Sequence, residues 1–168
     1  MARRDLIKKW AVYAVCAVVL TLVQSQALTH LTLWGVHPFL LPAIAVLPAA
    51  FERNEGAVLF AVFYGLVCDL LMPVAGLPCF YELAFFAAAL ASWILSARVV
   101  TAGLFCSLTV TAASLLLCGL LHLLVLSAAG ESMTAALGLL VREALLTLPL
   151  TPLVHFPYRK VRQLTQFA

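Results

Sequence analysis

Tyr64-Gly65-Leu66-Val67-Cys68-Asp69-Leu70-Leu71-Met72-Pro73-Val74-Ala75-Gly76-Leu77 places a single carboxylate near the end of an apolar run, immediately before a Pro/Gly turn. An ionisable side chain in sequence this apolar is costly, so it needs either a partner or a task. The surrounding chain decides what kind of solvent it meets. Of 168 residues, 65% are hydrophobic and only 10% are charged. Soluble domains average about 45 to 50% apolar and about 25% charged. Too few polar groups remain to cover a water-facing surface, and the chain reads as an all-α integral membrane protein. Its length suits one bundle without a separate soluble domain, linker or low-complexity tail.

A hydrocarbon core takes about 20 apolar residues to cross. On that measure the sequence predicts six spans, at about 10–31, 36–51, 56–71, 78–95, 101–128 and 139–158. The second is short and holds Pro38, Pro42 and Pro48, which a helix inside a bundle tolerates when neighbouring helices satisfy the carbonyls that proline frees. It meets the third at the polar turn Glu52-Arg53-Asn54-Glu55, so a hairpin of short helices and a re-entrant pair both fit. The segment from Arg3 to Lys9, the apolar run to Val23 and Ser25-Gln26-Ala27 have the outline of a secretory signal. Apolar character continues through Leu28, Leu31, Leu33 and Trp34, which favours an uncleaved first span.

Basic residues set the orientation. With six spans and the N-terminus inside, Arg3, Arg4, Lys8, Lys9, Arg53, Arg98, Arg159, Lys160 and Arg162 all fall on the cytoplasmic side, and no outer loop holds Lys or Arg. Arg142 is the remaining cation, beside Glu143 at the start of the sixth span. Both termini are expected on the cytoplasmic side of the membrane.

Other polar residues carry weaker signals. Cys16, Cys68, Cys79, Cys106 and Cys118 have no metal-ligand or CxxC spacing, and only Cys68 and Cys79 flank one loop. His30 and His37 suit an interfacial belt around Trp34. His155 is expected to snorkel or to bond a carbonyl freed by Pro152 or Pro157, and His122 is the histidine placed for an internal polar contact. Close helix packing is expected from Ala87, Ala88, Ala89, Ala91 and Ser92, and from Ser107, Thr109, Thr111, Ala112, Ala113 and Ser114. No metal box, phosphate loop or nucleophile set is present, so the sequence predicts neither an enzyme nor a cofactor.

Asp69, Glu82, Arg142 and Glu143 fall at similar depth near the outer face. They are expected either to form a polar cluster, with Asp69 or Glu82 on Arg142, or to face a cavity or a partner's transmembrane helix. Asp69 has a further option. At the C-terminal end of its helix it faces an unfavourable dipole, whereas backbone N–H groups of Gly76-Leu77-Pro78-Cys79 would offer it donors and fix the next helix. Gly76 and Pro78 suit that turn.

These residues carry a family resemblance. Tyr64 to Leu71, with Gly65 and Asp69-Leu70-Leu71, then Gly76-Leu77 and the small-residue helix ending Ala91-Ser92-Trp93, resembles the central pattern of the rod shape-determining protein MreD family. Val141-Arg142-Glu143-Ala144-Leu145-Leu146, followed by Leu148-Pro149, Thr151-Pro152 and a basic tail, resembles that family's last helix. The loop Met72-Pro73-Val74-Ala75 departs from its smaller, more polar turn.

The resemblance implies a non-enzymatic scaffold of the cell-elongation machinery, with a fold similar to the six-helix substrate-binding subunits of energy-coupling-factor transporters. Implied partners are the bitopic protein MreC, the MreB filament, the RodA glycosyltransferase with its class B transpeptidase, and membrane lipid, but no nucleic acid. A vitamin-binding transporter subunit is the alternative of the same size.

Reporter fusions test the topology. A reporter active only in the cytoplasm is expected to work at either terminus and to fail when inserted after Val74; activity after Val74 would reverse the assignment.

Overall fold

The computed structural model describes residues 3–72, 77–98, 103–128, 130 and 133–166. They form seven α-helices: α1 (Arg3–Gln26), α2 (Leu41–Glu52), α3 (Glu55–Leu71), α4 (Phe80–Arg98), α5 (Leu104–Ala128), α6 (Met133–Thr147) and α7 (Thr151–Gln166). A 3₁₀ turn at Leu148–Leu150 joins α6 to α7 end to end, so the chain packs as six rods. Leu6–His30, Leu104–Ser127 and Ala136–Thr165 are long and apolar enough to cross a membrane, and Leu41–Glu52 and Phe80–Ser96 are shorter apolar helices. The outer surface agrees with a lipid surround: Leu70 is 76% exposed and Phe105 75%, and large apolar side chains line most outward faces.

Contacts set the directions of the rods. Lys9 of α1 meets Glu52 at the end of α2, Trp10 lies against Gly56 at the start of α3, and the Tyr13 and Tyr158 rings are 5.6 Å apart. Both termini therefore share one end, here the near end, with Arg53, Arg159 and Lys160 exposed there. The far end holds the turn from α3 to α4 and the Trp34–Gly35 turn.

The second expected span is corrected in form. Regular helix covers only the 12 residues of α2, about 18 Å at 1.5 Å per residue, and every residue from Leu41 to Phe51 is buried. A helix apolar on all sides belongs inside a bundle, and α2 is the core on which α4, α5, α3 and α7 pack. Its shortness follows from Pro38 and Pro42, which hold residues 37–40 out of helix.

That position makes backbone satisfaction strict, because no water reaches the interior. Pro48 has no N–H for the carbonyl of Ile44, four residues earlier. The Tyr158 hydroxyl donates to that carbonyl at 3.0 Å. The irregular entry is held by side chains: Gln24 donates through Nε2 to the Pro38 carbonyl at 2.6 Å and accepts from the Leu40 N–H at 3.2 Å. The Phe39 N–H donates to Thr147 Oγ1 at 2.9 Å. At its other end α2 closes on Arg53 in a left-handed conformation, φ 49°. Glu52 there forms an ion pair with buried Lys9 and accepts from the Tyr13 hydroxyl at 2.8 Å.

Lys9 and Glu52 were counted by sequence as loop-side charges, yet both are largely buried. Removing one partner of a buried pair costs about 3 to 5 kcal/mol.

Tyr158→Phe is expected to lower stability in detergent by about 1 to 2 kcal/mol. Pro48→Ala restores the N–H for Ile44, so the same substitution in a Pro48→Ala background should cost little; an equal loss in both backgrounds would remove the link between Tyr158 and the proline.

Candidate functional site

The corner between α3 and α4 is where the opening stretch acts. α4 begins at Phe80, two residues later than expected, with Pro78 exposed in the turn and Cys79 in a left-handed conformation, φ 64°. The first N–H groups of a helix need acceptors, normally from its own N-cap side chain. Asp69 of α3 provides them here: Oδ1 accepts from the Tyr81 N–H at 2.9 Å and Oδ2 from the Glu82 N–H at 2.9 Å. The carboxylate at the negative end of α3 thus lies on the positive end of antiparallel α4. Its donors lie a few residues beyond the 76–79 segment expected from sequence, and Gly76 lies outside the described residues.

Gly65 sits one turn before Asp69 on the same face of α3. A Cβ at Gly65 would fall 2.6 Å from the Cα of Glu82 and 2.8 Å from the Tyr81 carbonyl oxygen. Backbone meets backbone there, in the manner of small-residue contacts between membrane helices. Gly65 allows the approach and Asp69 fastens it.

The expected cluster of Asp69 or Glu82 on Arg142 does not form. Among the described residues no ion pair joins Arg142 to either acid, because both Asp69 oxygens are taken by backbone donors and Arg142 turns elsewhere. Arg142 is exposed and edges a far-end depression with Trp34, Gly35, Val36, Thr134, Gly138 and Leu139. Glu143, the next residue, points about 100° around the helix into a different space. That space is a cavity of about 200 Å³ between α5 and α6, lined by Phe39, Phe80, Tyr81, Leu115, Cys118, Gly119, His122, Leu139, Leu140 and Glu143, among others. Gly119 makes room for Leu140, whose Cδ1 lies 1.7 Å from where a Cβ would stand.

His122 is exposed at this cavity, its ring edge-on to Phe80 with centroids 5.9 Å apart. The internal polar contact expected of His122 belongs to His155. That residue is 1% exposed and its Nδ1 shares a 2.6 Å hydrogen bond with Ser107 Oγ, so it does not snorkel. Ser107 and Thr111 on α5, and Thr147, Thr151 and His155 along the last rod, are all buried at four-residue spacing. They form a polar seam between the antiparallel rods, and Thr111 Oγ1, Thr151 Oγ1 and His155 Nε2 have no hydrogen-bond partner in it. The signal is present in the four-residue spacing of Thr147, Thr151 and His155, but the reading of His155 turned on its basic cytoplasmic end and on carbonyls freed by Pro152 or Pro157.

The small residues of α4 also sort by face. Ala84, Ala88, Ser92 and Ser96, at four-residue spacing, are buried, while Ala91 is exposed. A second feature faces outward: an apolar groove of about 320 Å³ between α1 and α3, lined by Ala14, Ala17, Val18, Phe63 and Val67 among others. Thr21 and Tyr64, also lining it, join α1 to α3 through a 2.7 Å hydroxyl contact. The cysteines are free thiols, Cys68 and Cys79 included.

No family model, curated protein or solved structure matches this chain.

Gly65→Ala is expected to be the most disruptive single methyl in the α3–α4 corner, since backbone atoms of α4 must move. Asp69→Ala should cost about 1 to 2 kcal/mol through loss of the cap. Asp69→Asn, which keeps one acceptor, should fall between Ala and wild type. Thermal unfolding of the purified variants gives the order, and Gly65→Ala melting with wild type would discount the close approach.

Proposed function

We propose that this chain is a non-enzymatic, multi-pass scaffold of the bacterial inner membrane that works in cell elongation, as its resemblance to the MreD family implies. The observation carrying the proposal is the α3–α4 corner. Gly65 and Asp69, which define the resemblance, are the two residues that fix α4 against α3. A motif of that kind specifies a shape and needs no chemistry from Asp69, whose two oxygens are both committed to backbone donors.

In this reading the six rods cross the membrane, α2 and its irregular entry together making the second passage. The near end lies in the cytoplasm, where Lys8, Arg53, Arg159 and Lys160 meet anionic lipid or cytoplasmic partners. Partner spans, an MreC-like bitopic helix first among them, rest on the outward apolar faces, including the α1–α3 groove. Register in such contacts falls to Arg142 and Glu143, since Asp69 is occupied internally. MreB and the RodA/transpeptidase synthase complex are the further partners. No catalytic residue or cofactor is assigned.

A vitamin-transporter subunit is the weaker reading, because the sequences of the outer loops at 72–77 and 128–134 are short and free of the aromatic and amide side chains that would grip a polar vitamin.

Depletion of the protein in the bacterium that encodes it is expected to turn rods into wide or round cells within a few divisions, with recovery on re-expression. Cells that keep their width by microscopy would overturn the proposal.

A further inference from the structure

Glu143 is an unspent charge of the far end. Its carboxylate is half-buried, and among the described residues it has neither an ion pair nor a hydrogen bond, whereas the backbone carbonyl of the residue accepts from Thr147 Oγ1 at 2.7 Å. It faces a cavity whose other walls carry Phe39, Phe80, Tyr81 and His122. These rings form a connected set, with Phe39 and Tyr81 centroids 6.3 Å apart, Phe80 and Tyr81 5.3 Å, and Phe80 and His122 5.9 Å. A carboxylate among aromatic rings at the edge of lipid is the chemistry that holds an ammonium group: the ring faces attract the cation and the acid neutralises it.

We infer that this cavity binds an alkylammonium group, and that its source is the headgroup of an amine-bearing zwitterionic phospholipid. Size and depth select this class. A space of about 200 Å³ suits a headgroup amine rather than a whole larger ligand. The cavity lies at the level of the irregular entry to α2 and the first residues of α4, which supply Phe39 at one edge and Phe80 and Tyr81 at the other, so it opens near the end of the bundle rather than in its middle. Its mouth includes exposed His122 and Leu139. Leu139 also borders the depression that holds Arg142. The two spaces meet at Leu139, so one headgroup lying across it sets its phosphate toward Arg142 and its amine toward Glu143. The rings are held in place by the corner already described, because Asp69 fastens the N–H of Tyr81 itself. The inference draws on the same Arg142 and Glu143 to which the proposed function gives partner register, and its test reads lipid retention alone, so either can fail without the other.

The test uses the full-length protein in nanodiscs containing equal amounts of phosphatidylethanolamine and phosphatidylglycerol, with retained lipid counted by native mass spectrometry. Phosphatidylethanolamine is expected to be retained preferentially, and Glu143→Gln should reduce that retention about tenfold, the scale of losing one charge-assisted contact. Phe80→Leu, which keeps an apolar wall but removes a ring face, should reduce it less. Free ethanolamine at millimolar concentration separates the sources: competition shows that the amine alone is recognised, and retention unaffected by it shows that the whole headgroup is. Equal retention of both lipids by wild type overturns the inference, as does undiminished phosphatidylethanolamine preference in a Glu143→Gln protein of wild-type helicity and melting temperature. Binding of a lysine-bearing peptide with no lipid preference also overturns it.

Discussion

A helix with Pro48 at its centre and no water around it leaves one backbone carbonyl without a donor, and the packing of the bundle answers that deficit. The carbonyl belongs to Ile44, and the donor is a hydroxyl from the last helix. An unsatisfied amide group in such surroundings costs several kcal/mol, so α7 cannot slide or rotate against α2 without losing it. The other supports of α2 follow the same logic. Gln24 and Thr147 serve the backbone of its irregular entry, and Lys9 with Tyr13 serves the carboxylate at its exit.

The corner between α3 and α4 is a second case of one element completing another. α4 follows Cys79, which adopts a positive φ, and α3 supplies the capping acid from one turn beyond the glycine that lets the two backbones meet. Each of the two residues has its use only with the other in place. A cap could not reach across a wider gap, and close approach without a cap would bury two N–H groups unpaired. The same corner aims Phe80 and Tyr81 at Glu143, so local backbone geometry and the far-end cavity are continuous.

Much of this was legible in the sequence, and the parts that were not share a cause. Hydropathy marks apolar runs well, because the solvent acts on each residue separately. It marks pairings poorly. The role of Asp69 as an anchor for the next helix could be reasoned from its place before a Pro/Gly turn, although the donors proved to be Tyr81 and Glu82. The burial of Lys9 and Glu52 could not, since each sits among charges that face water at the near end and only the antiparallel packing of α1 and α2 brings them together. Arg142 and Glu143 were read as one unit with Asp69 and Glu82 because depth along a helix is visible in sequence. The 100° between neighbouring side chains then sent them into separate spaces. His155 was misjudged for a similar reason, as its partner Ser107 is supplied by another helix.

The bond between Tyr158 and Ile44 joins residues 114 positions apart, and this separation bears on biogenesis. As the ribosome delivers the chain, α2 emerges early with its proline defect open, and four further helices, α3 to α6, must be made before the tyrosine that closes it exists. Through that interval the Ile44 carbonyl lacks the donor that it has in the finished fold. Synthesis of the last helix is then the event that pairs this carbonyl, and a chain truncated before residue 158 is an incomplete fold rather than a smaller version of the finished one.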